Sequence, residues 1–107
     1  MNAKALRYNT RAKNDVREVL DYYIETTGEL ALVRKLLGEM SKAFRHIAMA
    51  PGTGSPRHQE GLGAPGVRFW KLTRFPHLIF YVELAQSIRV LRIMHGKQDI
   101  SRRFHTP

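Results

Sequence analysis

The chain has 107 residues, no cysteine, and a net charge of +9 from 18 Lys and Arg against 9 Asp and Glu. That length predicts one domain over residues 1–107 around one core, and the absence of thiols excludes disulfides and a cysteine nucleophile. The opening MNAKALRYNT is too polar for a signal peptide's apolar region and no apolar run reaches bilayer length, so the expected setting is cytoplasmic with no membrane contact.

In chain order, AKALRYN alternates weakly and predicts a short first strand. Thr10 is the expected cap of a helix whose apolar residues Ala12, Val16, Val19, Leu20, Tyr23 and Ile24 form one stripe. Gly28 should end that helix in a left-handed cap. Val33, Leu36, Leu37, Met40, Phe44, Ile47 and Ala48 then share one face of a second helix, which Pro51 stops. The tight TTGE link makes the two a helical hairpin. PGTGSPRHQEGLGAPG, with five of the eight glycines and three of the five prolines, predicts a loop. It lacks the Gly-Lys-Ser/Thr and the following helix that a phosphate cradle needs. Three strands follow, in VRFWKLT, HLIFYVE and SIRVLRIM, joined closely enough for an antiparallel meander. The fold class is therefore α+β, in the order β-α-α-β-β-β with a short last helix in ISRRFH. The first strand joins an edge of a four-stranded, mainly antiparallel sheet, the hairpin covers one face, and the other face is expected to be open.

The positive charge is concentrated toward the end of the chain. Residues 10–50 hold 7 Lys and Arg against 6 Asp and Glu, whereas residues 51–107 hold 9 against 3. Such a field attracts polyanions, whether nucleic acid, acidic protein or anionic lipid. The five histidines show no paired metal-ligand spacing, so neither a metal nor another cofactor is expected. Glu60, Glu83 and Asp99 do not suggest a two-carboxylate glycosidase site, and Ser87 and Ser101 sit on no nucleophile elbow. What remains is a basic and aromatic set: Arg68, Trp70, Lys71, Arg74, His77, Tyr81, Arg89, Arg92 and His95. These residues can grip phosphates, stack bases, or supply the base, acid and cations of a metal-free ribonuclease, and they can equally serve the core or pair with Glu83. Strict alternation puts Arg89, Leu91, Ile93 and His95 on one face of the last strand and Ile88, Val90, Arg92 and Met94 on the other. Arg92 then emerges among apolar neighbours and needs a carboxylate partner, from within the fold or from another protein.

The layout, together with RFPHLIFYVE and IRVLRIMHGKQDI, resembles the ParE toxins of bacterial toxin–antitoxin modules, within the wider ParE/RelE superfamily. The resemblance runs from RYNTRAKNDVREVLDYYIE to Ile100. It implies a compact toxin neutralised by a ParD-like antitoxin, with DNA gyrase poisoned by several members, and no sequence-specific DNA binding by the toxin alone. RelE-like relatives instead cut messenger RNA on the ribosome, which makes endonuclease activity the second expectation. The family's ending falls on His95, Gly96, Asp99 and Ile100. Gly96 is expected to permit a sharp exit through positive φ, and Asp99 to cap the last helix. Near the carboxyl end Phe104 and His105 appear without the tyrosine of many RelE-type cleavers. The residues expected to face the target are Arg68, Trp70, Arg74, Arg92, His95 and Asp99. For a ribonuclease the set would be Arg68, Lys71, Arg92 and His95, and for antitoxin binding Val16, Leu20, Tyr23 and Phe44.

Overall fold

The computed structural model describes residues 3–105; the first two residues of the opening stretch and Thr106 and Pro107 of the basic tail lie outside it. Strand β1 (Ala5–Tyr8) leads into helix α1 (Thr10–Thr27) and helix α2 (Leu30–Met49). Asn9, rather than Thr10, caps α1: it is still extended, and its side chain accepts from the Ala12 N–H at 2.8 Å. The strand runs directly into the helix, so the last extended residue takes the cap, and Asn is at least as good a cap as Thr. Gly28 closes α1 in the left-handed conformation with φ 64°, as the sequence predicts. Beyond α2, Pro51–Thr53 forms one 3-10 turn. The Gly/Pro-rich stretch is more ordered than a plain loop. Ser55 bridges Phe69, and Gln59–Leu62 forms a single-turn helix α3.

Strands β2 (Val67–Lys71), β3 (His77–Glu83) and β4 (Ser87–His95) form the meander, and helix α4 (Ile100–Phe104) follows. The sheet order is β1-β4-β3-β2, with β1 parallel to β4 and the other pairs antiparallel. One core lies under the helical hairpin. It includes Leu36, Met40 and Ile47 from α2 against Ile79, Tyr81, Ile88, Val90 and Ile93 from the sheet.

The expectation of an open second face fails. Leu62, Val67, Phe69, Leu78, Phe80, Met94 and Ile100 form a second buried cluster there, with Phe104 packed against it. The strands are too apolar on both faces to leave one in water, and the short helices α3 and α4 cover it. The alternation expected for β4 fails as well. Phe80 pairs with Arg92 and Tyr81 with Val90, so Leu91 is an extra residue in a β-bulge. The bulge resets the parity: Val90 and Ile93 share the hairpin side, while Leu91 and Met94 go to the other. Two stripe assignments also shift, because Ile24 in the last turn of α1, at 47% exposure, and Leu37 within α2, at 43%, face water. Among the described residues no helix is long and apolar enough to cross a membrane.

Candidate functional site

The chemistry converges where β1 stops. The parallel ladder ends at Tyr8 opposite Val90, and the Asn9 N–H donating to the Val90 carbonyl is its last step. From Leu91 onward β4 has no strand on that side. Asp15, on the buried face of α1, supplies the acceptor instead: its Oδ2 takes the Ile93 N–H at 2.9 Å. The same carboxylate takes Arg92 Nε at 2.8 Å and Nη2 at 3.3 Å, and Arg11 Nη1 lies 3.3 Å from Oδ1. Arg92 Nη1 donates onward to the Arg103 and Phe104 carbonyls in α4. Asp15 and Arg92 are 3% and 4% exposed. One guanidinium thus joins α1, β4 and α4 through a fully bonded buried ion pair, the condition under which such a pair holds a fold together. The carboxylate that Arg92 needs comes from within the chain, and it is Asp15 rather than Glu83, whose partner is Lys4.

The remaining expected target residues are spread over three places. On β2, Arg68 donates to the Gly54 carbonyl at 2.8 Å, and Trp70 stacks on His46 of α2 with ring centres 3.8 Å apart. At the β2–β3 turn, Lys71 Nζ donates to the Leu72 and Phe75 carbonyls, and Arg74 is exposed with φ 69°. After β4, the His95 N–H donates to Gln98 Oε1, and His95 Nδ1 accepts from the Lys97 N–H, so in the neutral ring the proton sits on Nε2. Asp99 caps α4 as expected, accepting from the Arg102 N–H at 3.2 Å. Gly96 has no positive φ. Its role is close approach: it donates to the Pro76 carbonyl at 2.7 Å, and a Cβ there would lie 3.1 Å from that oxygen. Only Arg92 and His95 of the expected set meet in one cleft; β3 separates them from Arg68, Trp70 and Lys71.

The antitoxin candidates Val16, Leu20, Tyr23 and Phe44 are half-buried and pack on the hairpin-side core. The apolar residues that the two helices leave in water are Tyr22, Ile24, Leu30, Leu37 and Met49. Asp15 is absent from the expected residues although it carried a signal, being a charge three residues after Ala12 and next to Val16 inside the apolar stripe. His77 belongs to the basic and aromatic set, but nothing in the sequence marks a strand-start histidine as buried.

His77 is 5% exposed, and burial followed by the charge of His95 pushes its pKa from 6.5 down to about 4. Between about pH 4 and pH 6.5 the folded protein therefore holds a neutral ring where the unfolded chain would be protonated. Stability from this group is complete above pH 6.5 and drains away as pH falls toward 4, by about 3 kcal/mol at pH 4. Denaturant midpoints measured from pH 7.5 to 4 should show this loss, and His77→Phe should flatten the curve in that window.

Among the described residues no cluster of side chains is arranged to hold a metal ion. No curated protein matches the chain. A solved structure titled "Chromosomal ParDE TA system from P. aeruginosa" has the same fold, with a TM-score of 0.73 and 22% identity over 89% of this chain and 98% of the other. A family model described as "ParE toxin of type II toxin-antitoxin system, parDE" matches residues 6–100, which takes in β1 from Leu6 onward, the helical hairpin, the meander and the Asp15–Arg92 pair. By that match the chain belongs to the ParE toxin family of type II toxin–antitoxin systems.

Proposed function

We propose that this chain is a cytoplasmic toxin that arrests growth by inhibiting DNA gyrase and is neutralised by a ParD-like antitoxin. The family match across residues 6–100 carries this reading. The distribution of cations supports protein targeting over messenger RNA cleavage. Of the four residues assigned to a ribonuclease, Arg92 is committed to Asp15, Arg68 and Lys71 donate to backbone carbonyls, and β3 stands between the two pairs. A general acid, a base and phosphate-binding cations must act on one phosphate together. Inducible expression in a bacterium tests the reading: DNA breaks and relaxed plasmid are expected, and transcript cleavage without them would reverse it.

The antitoxin should dock an acidic, amphipathic segment across the hairpin and the sheet edge. The net charge of +9 and the exposed Ile24, Leu30 and Leu37 support this surface, together with the half-buried Val16, Leu20, Tyr23 and Phe44. Co-expression with the antitoxin should give one complex on size exclusion at moderate salt, melting above the free toxin. Two separate peaks would refute the surface.

A further inference from the structure

A cleft of about 450 Å³ opens between α1 and the ends of β3 and β4, with Arg103 of α4 on its wall. That volume is typical of small-ligand sites. Two side-chain nitrogens of residues lining it are buried without a hydrogen-bond partner: Arg11 Nε and His77 Nδ1. Buried polar atoms are nearly always paired, so two orphans on one cleft point to something that pairs them. Arg11 already uses Nη1 on Asp15 and Glu18. His77 is 5% exposed and has no role in the ion-pair hub.

The rest of the lining narrows the ligand. Tyr22 is 61% exposed and stands edge-to-face to Tyr23, which leaves an aromatic face at the mouth. Gln98 fixes its amide by accepting through Oε1 from the His95 N–H, so its N–H groups are the donors it has left. Three guanidinium groups, from Arg11, Arg92 and Arg103, outnumber the carboxylates of Asp15 and Glu18. We propose that this cleft binds a nucleoside monophosphate, with the base stacked on Tyr22, its edge read by His77 and Gln98, and the phosphate held by Arg103 and Arg11. An inorganic anion alone would fill little of the volume and leave the aromatic face idle. A neutral nucleoside would leave the excess of cations unused. The proposal does not depend on gyrase being the target.

NMR titration of the ¹⁵N-labelled full chain tests it, with AMP, GMP, adenosine, inorganic phosphate and a glutamate-rich peptide as probes. AMP or GMP should produce saturable shifts at Arg11, Tyr22, His77 and Arg103, with affinity at least about tenfold above adenosine or phosphate. Tyr22→Ala and Arg103→Ala, both exposed side chains, should each weaken binding about tenfold at unchanged melting temperature. Glu18→Gln should tighten it, because the carboxylate opposes the phosphate; a purely structural role for these residues would not produce that sign. Absence of saturable shifts at His77 with both nucleotides overturns the proposal. So does equal affinity for AMP and phosphate, or for AMP and adenosine. Tighter binding of the peptide at the same residues overturns it in favour of a protein side chain.

Discussion

Arg92→Ala should lower the melting temperature by about 15 to 30 °C, as much as a large truncation in the core. The substitution removes a guanidinium that is 4% exposed and strands the Asp15 carboxylate, 3% exposed, with Arg11 and the Ile93 N–H as its remaining partners. Breaking a buried pair from one side costs about 3 to 5 kcal/mol, a large share of the total stability of a domain this size. It also frees the α4 carbonyls from their contact with β4. Arg92→Lys should recover only part of the loss, since one ammonium cannot span Asp15 and the two carbonyls as the planar fork does. Replacing both partners, Asp15→Leu with Arg92→Met, should cost less than Arg92→Ala alone, because no charge is left buried. Thermal melts of the three variants beside the parent decide the matter. If Arg92→Ala melts like the parent yet no longer inhibits growth, Arg92 acts on the target rather than on the fold.

Gly54→Ala should be the second severe change, at about 2 to 4 kcal/mol, although it adds a single methyl group. The backbone there is unstrained at φ −66°, so conformational freedom is not the issue. A Cβ would overlap the Tyr81 hydroxyl and sit 2.8 Å from Tyr81 Cζ and 3.1 Å from Arg68 Cβ. Tyr81 cannot swing aside, because its ring is fully buried in the hairpin-side core and its hydroxyl donates to the Pro51 carbonyl. The methyl group must therefore displace either the tyrosine or the 51–55 segment that bridges to β2. Urea denaturation should show a lower midpoint at unchanged slope. Tyr81→Phe in the same background should restore part of the loss, because it removes the atom that collides. Equal stability of Gly54→Ala and the parent would show that this segment yields freely.

Much of this architecture is legible in the residues themselves. The two helices declare themselves by apolar spacing, Gly28 and Pro51 mark their ends, and the meander follows from three β-rich runs with short links. That β1 joins an edge of the sheet follows from the need to cover a strand that has no hairpin partner, whereas its parallel pairing with β4 emerges only in the structure. What could not be read has a common cause, since each feature depends on contacts distant in sequence. Leu91 looks like any strand residue, and only its lack of a partner opposite β3 makes it a bulge. Asp15 and Arg92 are 77 positions apart, so the spare edge of β4 and the carboxylate that fills it meet only after folding. Helix α3 has four residues inside a Gly- and Pro-rich stretch, too few for a periodic signal, yet with α4 it closes a face expected to be open. In the candidate site, residue types with the right chemistry were identifiable, but their grouping was not. Strand order placed β3 between Arg68 and Arg92, and the bulge parted Arg92 from Ile88 and Val90, the residues expected to share its face.

A supercoiling assay with purified DNA gyrase, relaxed plasmid and the purified chain tests the proposed activity most directly. Dose-dependent loss of supercoiling is expected, with cleaved plasmid accumulating, and recovery when a ParD-like antitoxin is added in equal amount. Full supercoiling at a large excess of folded protein, alongside cutting of ribosome-bound messenger RNA in a translation extract, would contradict that activity.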